Sequence, residues 1–197
     1  MWLRTRCHAY RRKKAHRSER KRTEELIAAQ PGLRVVWSGE TLPAFLNWLD
    51  GAAAEDRPQL LMLDLMVERG PSASPAAIEA AIRADVQVLV ISALASPALI
   101  RGAIRAGVGG VVGKRDSEAD IVTAIWTVLG RGHWMTPELA NVIASDAARP
   151  ALSEQEERVL VLYASGLTLD AVAEALGIKA DTAKKYLNRV KVKYAAA

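Results

Sequence analysis

The sequence has 197 residues, half of them hydrophobic and a quarter charged, a composition that excludes a fully disordered chain. Its single cysteine, Cys7, excludes an intramolecular disulfide, and the sequence has no run of about 18 apolar residues that could cross a bilayer. No apolar segment follows the basic start of the sequence, so we expect no signal peptide and a cytoplasmic protein.

The formal net charge of +5 is unevenly distributed along the sequence. Residues 1–22 contain ten lysines and arginines and a single acid, whereas residues 23–150 contain ten basic and fifteen acidic residues. Residues 151–197 contain seven basic residues, and six of these lie between positions 179 and 193. The sequence therefore predicts a basic amino-terminal arm, an acidic middle region and a carboxy-terminal region with one basic face.

The acidic middle region alternates short apolar runs with helical patterns. The apolar runs are rich in β-branched residues or leucine, as strands buried on both faces of a parallel sheet are. This alternation predicts a doubly wound α/β domain over residues 23–144. The predicted strands are 33–39 (LRVVWSG), 60–65 (LLMLDL), 86–93 (VQVLVISA) and 109–114 (GGVVGK).

Beyond a predicted linker at residues 145–151, the pattern is helical throughout. Ser153 and Glu156 have the spacing of a capping box at a helix start. Gly166 and Gly177 end two predicted helices, and the second is followed by a basic helix, an arrangement typical of a helix-turn-helix. The residues predicted to form its core are Val172, Ala173, Leu176, Ile178, Ala183, Leu187 and Val190.

The region 152–194 closely resembles the DNA-binding domain of NarL/LuxR-type response regulators. The resemblance lies in the Leu-Ser-x-x-Glu opening, the Ala-x-Gly-Leu-Thr segment, the Ala-x-x-Leu-Gly-Ile turn and the Thr-Ala-Lys-Lys-Tyr-Leu entry to the last helix. It implies that Lys184, Lys185 and Asn188 contact base edges in the major groove of double-stranded DNA. The residues that it implies as phosphate contacts are Lys179, Thr182, Arg189 and Lys191.

The sequence departs from this family after the recognition helix. The family continues into a fourth helix that often dimerises, whereas this sequence stops at KYAAA, so we do not expect a dimer formed through that helix. A single helix-turn-helix binds DNA weakly without a second half-site, so a homodimer of the protein stays a candidate assembly, with the middle region as a regulatory or dimerisation module. The helical pattern is also similar to region 4 of sigma factors, which likewise bind DNA.

Three polar residues, Asp64, Ser92 and Lys114, stand at the ends of successive predicted strands. Ligands of doubly wound domains bind at this edge of the sheet. The arrangement, over residues 23–135, resembles the receiver domain of response regulators, which has a flavodoxin-like parallel sheet. The resemblance implies that Asp64 accepts a phosphoryl group, that the Ser92 hydroxyl follows the phosphoryl oxygen, and that Lys114 pairs with it.

The acidic pair that holds Mg²⁺ in receiver domains is absent. Counted back from LIAAQPG, which matches the end of the first receiver helix, the two carboxylates would fall near Lys14 and Ala15. Mg²⁺ is held through carboxylates and water, and a lysine repels it. The surrounding CHAYRRKK also lacks an apolar run, so we expect a sheet without a good first strand. We therefore expect no metal, no cofactor and no ordinary Mg²⁺-dependent phosphorylation at Asp64.

Together these features predict a sequence-specific DNA-binding transcriptional regulator of the two-component response-regulator type, and not an enzyme. The arm over residues 1–22 is then either a solvated tail or a segment that contacts DNA phosphates. One alternative is a conventional regulator activated by phosphorylation at Asp64. Another is a metal-dependent α/β hydrolase that uses Asp64 with Glu68 as the second carboxylate, and a third is a non-DNA module that binds RNA polymerase. The sequence identifies no sensor kinase, no operator and no membrane partner.

Overall fold

The computed structural model describes residues 5–10, 14–39, 41–65, 74–92, 97–147 and 149–196, with the backbone alone given for 5–10, 14–20 and 97. Helices follow strands along most of the chain, and a set of helices ends it. The strands are β1 (Thr5–Tyr10), β2 (Leu33–Gly39), β3 (Leu60–Asp64), β4 (Gln87–Ser92) and β5 (Gly110–Gly113). The helices are α1 (Lys14–Ala28), α2 (Leu42–Gly51), α3 (Pro75–Arg83), α4 (Pro97–Arg105), α5 (Glu118–Leu129), α6 (Pro137–Ala144), α7 (Glu154–Ala164), α8 (Leu169–Leu176) and α9 (Ala180–Ala196).

The strands form one parallel sheet in the order β2-β1-β3-β4-β5. This is the flavodoxin-like order of a doubly wound domain, which confirms the predicted fold class. Helices cover both faces of the sheet. On β3, Leu61 and Leu63 are buried in a cluster with residues of α2, α3 and α4, whereas Leu60 and Met62 are buried with residues of α1 and α5. Because successive side chains of a strand alternate between faces, this strand is apolar throughout.

The amino terminus corrects one detail of the fold prediction. Residues Thr5–Tyr10 form β1 in the interior of the sheet, paired with β2 on one side and β3 on the other. The sheet therefore has its first strand, and the segment expected to be a basic arm holds β1 and the start of α1. An interior strand needs backbone donors and acceptors for two neighbours, and this short segment supplies them without a continuous apolar run.

The last three helices form the predicted helix-turn-helix. α8 ends at Gly177, whose φ of 65° lies in the left-handed region that glycine adopts without strain. α9 then begins at Ala180, so the two helices are joined by a tight turn. The predicted core is buried at Val172, Ala173, Ala183, Leu187 and Val190, and half-buried at Leu176 and Ile178.

The capping box at the start of α7 is also present. Ser153 Oγ accepts a hydrogen bond from the Glu156 backbone, and the Glu156 carboxylate accepts one from the Ser153 backbone at 2.8 Å. Lys193, near the end of α9, also pairs with Glu156, with its Nζ 2.6 Å from Glu156 Oε2. This hydrogen bond is the main reason that the pKa of Glu156 is lowered.

Each helix within the described ranges is too short or too polar to span a bilayer.

Candidate functional site

The first half of α9 presents basic side chains to solvent. Lys184, Lys185 and Arg189 are exposed, and Asn188 between them is half-buried. The Arg189 guanidinium lies 5.7 Å from the ring centroid of Tyr186, close enough for a cation–π contact that restricts its orientation. Of the other residues expected to contact DNA here, Lys179 is exposed and Thr182 is half-buried.

One face of the second half of α9 is buried against the α/β domain, and Lys191 lies at the centre of this contact. Its side chain is only 2% exposed. Lys191 Nζ donates to the backbone carbonyl of Val108 at 2.7 Å and to that of Gly109, and it lies 3.2 Å from His133 Nδ1. The expected phosphate contact by Lys191 is therefore corrected, because its ammonium group is enclosed by the backbone that leads into β5.

Burial perturbs the ionisation of both side chains in this contact. Loss of solvation lowers the pKa of Lys191 to about 7. Burial also lowers the pKa of His133, and the positive charge of Lys191 lowers it further. Both shifts favour the neutral forms, so protonation opposes the packing of α9 on the α/β domain.

Tyr194 forms a second buried contact between α9 and the rest of the protein. It is 1% exposed, and its hydroxyl donates to Asp146 Oδ2. The other carboxylate oxygen of Asp146 accepts a hydrogen bond from Arg101 of α4 at 2.6 Å. We use "closed arrangement" for this packing of the second half of α9 on α4 and on the start of β5. In the closed arrangement the basic side chains of Lys184, Lys185 and Arg189 stay open to a partner.

The structure brings the three predicted strand-end residues together at the carboxyl edge of the sheet. Lys114 Nζ lies 2.9 Å from Asp64 Oδ2; Asp64 is buried, and the Lys114 side chain is 12% exposed. Ser92 ends β4, the strand between them, and its backbone carbonyl accepts a hydrogen bond from the Lys114 backbone at 2.9 Å. The Ser92 hydroxyl is buried and has no hydrogen-bond partner within the described structure. The edge therefore holds a buried ion pair beside an unused hydroxyl group.

The residues present do not fit the Mg²⁺ ion that a receiver domain would bind here. Lys14 and Ala15 fall in the first turn of α1, while β1 ends at Tyr10, so the loop directly after the strand is 11–13, outside the described residues. In either register the sequence offers no carboxylate, because its first acid is Glu19. Among the described residues, no group of three or more metal-binding side chains is placed to hold an ion.

Two features of the site were not predicted from the sequence. Helix α6 was not predicted at all, and it carries Glu138 and Leu139. Lys191 was placed in the basic face, although it lies four residues after Leu187, which was assigned to the core. That spacing is the signal that would have placed it on the buried stripe. Glu68, the second carboxylate of the hydrolase alternative, lies outside the described residues.

No family model matches the sequence, and no curated protein matches it. Solved structures do match. The RcsB response regulator of Salmonella typhimurium, studied for its conformational dynamism in DNA interaction, is 17% identical over 98% of this chain and 92% of that chain, with a TM-score of 0.58. A structure of two RcsB dimers bound to two parallel DNAs is 16% identical over 97% of this chain and 92% of that chain, with a TM-score of 0.61.

A two-component response regulator of the LuxR family from Aurantimonas sp. SI85-9A1 is 23% identical over 71% of this chain and 94% of that chain, with a TM-score of 0.59. At these identities, the likeness shows a shared fold. The chain therefore has the response-regulator fold, a doubly wound α/β domain followed by a helix-turn-helix. We call its α/β domain the receiver-like domain.

Proposed function

We propose that the chain is a sequence-specific, DNA-binding transcriptional regulator of the two-component response-regulator type. The observation that carries this proposal is the helix-turn-helix of α8 and α9, with Lys184, Lys185 and Arg189 exposed on its second helix. The second helix of such a motif enters the major groove, where lysine donates to guanine and an asparagine amide pairs with adenine. Among the solved structures of similar fold, RcsB is bound to DNA.

The exposed residues divide into two groups by their expected partners. Lys184, Lys185 and Asn188 are proposed to contact base edges and so to set sequence preference. The residues proposed to contact phosphates are Lys179, Thr182 and Arg189. Phosphate contacts add affinity that is independent of sequence and weakens with salt.

Insertion of α9 into a major groove would bring DNA close to the closed arrangement. A recognition helix lies in the groove with its amino-terminal residues on the base edges, and Lys191 and Tyr194 hold the second half of α9 against the receiver-like domain. We therefore propose that DNA and the receiver-like domain compete for α9. Binding to two half-sites by a homodimer would add affinity, and RNA polymerase stays a candidate partner of the bound regulator.

The proposal includes regulation that does not depend on ordinary Mg²⁺-dependent phosphorylation. Asp64 is paired with Lys114 at 2.9 Å, and the sequence before Glu19 supplies no carboxylate for a metal. A second candidate, activation by phosphorylation at Asp64, is favoured by the convergence of Asp64, Ser92 and Lys114 at one edge of the sheet. We expect no phosphoryl adduct on Asp64 in intact-mass spectra after incubation with acetyl phosphate and Mg²⁺. Detection of that adduct, and its loss in Asp64→Asn, would establish the second candidate.

DNA binding is tested by selecting bound duplexes from a random library and titrating the enriched sequence. We expect an enriched motif for the wild type and its loss in the Lys184→Ala/Lys185→Ala variant. The matched control is Arg83→Ala, which removes an exposed basic residue on α3, outside both candidate DNA-binding regions. If the wild type enriches no motif, or if the control and the double variant behave alike, α9 is not a recognition helix.

A further inference from the structure

A cavity of about 360 Å³ lies between β5, α4 and α6. This volume is at the lower end of the range for small-molecule sites. Its apolar walls are formed by Ile100 of α4, Val111 of β5, and Leu139 and Val142 of α6. These four side chains offer a hydrocarbon surface suited to a ring or a short alkyl chain. Neither Asp64 nor Lys114 lines this cavity, so it is separate from their ion pair.

The unused hydroxyl of Ser92 belongs to the lining of this cavity. Ser92 is 7% exposed, and its Oγ has no hydrogen-bond partner within the described structure. A buried polar group without a partner destabilises a protein, because it has lost its hydrogen bonds to water and gained none in return. A bound molecule with a hydroxyl group would remove this penalty, because a hydroxyl both donates and accepts.

The polar rim of the cavity is acidic. Asp116 is half-buried, with its Oδ2 accepting a hydrogen bond from the Gly113 backbone at 2.8 Å, and Glu138 is exposed at the start of α6. Burial raises the pKa of Asp116, and the charges of Glu138 and Asp120 raise it further. Among the described residues of the lining, exposed Arg115 carries a positive charge and is outnumbered by the two carboxylates. A cation at the rim would therefore be attracted.

We propose that this cavity binds a small arylalkylamine, a molecule with one ammonium group, one hydroxyl group and an apolar ring between them. The ammonium group lies at Asp116 and Glu138, and the hydroxyl group reaches Ser92 Oγ. The ring packs against the apolar walls. The acidic rim excludes the corresponding carboxylic acids, since they would add a further negative charge.

The position of the cavity connects it to the closed arrangement. Its walls come from α4 and α6, and Arg101 of α4 binds Asp146, which follows α6 and accepts the Tyr194 hydroxyl. An occupant that fixes α4 relative to α6 therefore biases the contact that holds α9. This regulatory consequence rests on the proposed DNA-binding function, whereas the binding site itself does not.

The test is a calorimetric titration of the full chain, without DNA, with three probes of nearly equal size. Tyramine carries the ring, hydroxyl and ammonium groups, tyrosol replaces the ammonium with a second hydroxyl, and phenethylamine lacks the phenol hydroxyl. We expect tyramine to bind about tenfold more tightly than tyrosol, because a hydrogen bond to a charged group is stronger than one between neutral groups. Ser92→Ala should weaken tyramine and leave phenethylamine unchanged.

Three variants place the probes in this cavity. Glu138→Gln, at an exposed position, should remove most of the preference for tyramine over tyrosol. Val111→Phe or Val142→Phe should abolish binding by filling the space, and Val142 is half-buried, so its variant is the safer one for folding. The matched control is Glu174→Gln on α8, which should change nothing.

Two outcomes overturn the proposal. One is the absence of tyramine binding to the wild type at millimolar concentration. The other is equal binding of tyramine to the wild type, Glu138→Gln and the folded cavity-filled variant. Since no DNA is present, neither outcome bears on DNA recognition, and a chain that fails to bind DNA can still show the probe preferences expected of this cavity.

Discussion

The two halves of α9 carry the same kind of side chain in opposite environments. Lys184 and Lys185 are exposed, whereas Lys191, less than two turns further on, is 2% exposed. The difference follows from position around the helix, because Lys191 continues the buried stripe of Ala183 and Leu187 at intervals of four residues. The net charge of a helical segment therefore does not show which of its residues are free to bind a partner. The position of each charged residue around the helix, relative to the buried apolar stripe, shows it.

The largest expected effect comes from breaking the buried half. Tyr194→Ala removes a ring that is 1% exposed and leaves Asp146 without its hydroxyl donor. We expect the free energy of unfolding to fall by about 3 to 5 kcal/mol, as for other buried aromatic residues. The measurement is urea denaturation. The control, Tyr186→Ala, truncates a half-buried tyrosine in the exposed half and should have a clearly smaller effect. Equal losses for the two variants would contradict the division of α9.

Lys191 gives the buried half a dependence on pH. Its pKa is about 7 in the folded chain, against an ordinary lysine value of 10.5, so between these values the unfolded chain binds more protons. The contribution of Lys191 to stability is present above the upper value and is lost as the pH falls towards 7. Between pH 7.5 and 9.5 we expect the stability of the wild type to rise by about 2 kcal/mol relative to Lys191→Met. The measurement is urea denaturation of both proteins across this pH range. If their free energies of unfolding change with pH in parallel, the prediction is wrong.

The exposed half is tested through DNA. We expect Lys185→Ala to weaken binding to the selected duplex by about 1 to 3 kcal/mol and to relax preference at one base position. Arg189→Ala should weaken all duplexes alike, because a phosphate contact carries no sequence information. Titrations with the selected and a scrambled duplex separate the two effects. The assignment of α9 to the major groove fails if neither substitution changes affinity.

The smallest effect is expected at Lys193, an exposed residue between the buried Lys191 and Tyr194. Lys193 is 42% exposed in its side chain and pairs with the buried Glu156 carboxylate at 2.6 Å. We expect Lys193→Ala to destabilise the chain by about 1 kcal/mol or less, since ion pairs with an exposed partner are weak. Thermal denaturation at low and high salt measures it. A loss as large as that of Tyr194→Ala would place Lys193 in the buried half.

The elements that sequence patterns predict well are those whose residues carry the pattern themselves. Residues 33–39 and 60–65 are apolar runs, and the structure places β2 and β3 there. The convergence of Asp64 and Lys114 was predictable because parallel strands end at one edge of the sheet. Their chemical roles stay predictions.

What the sequence did not reveal depends on partners distant along the chain. β1 is stabilised by backbone pairing to two other strands, which its own basic residues do not indicate. The burial of Lys191 depends on the carbonyl groups of Val108 and Gly109, more than eighty residues earlier. No local pattern identifies such distant acceptors. The spacing of Lys191 from Leu187 indicates only that Lys191 lies on the buried stripe.

The contact of Lys191 with the Val108 and Gly109 carbonyls also limits how far the two domains are interchangeable modules. A hybrid that joined this receiver-like domain to a foreign effector domain would deprive the Val108 carbonyl and His133 of Lys191, whereas the Gly109 carbonyl would keep its hydrogen bond from the Trp134 backbone. The reciprocal hybrid would deprive Lys191 of both carbonyl acceptors and of His133. In this chain, recombination at the linker would therefore separate the Lys191 donor from its carbonyl acceptors.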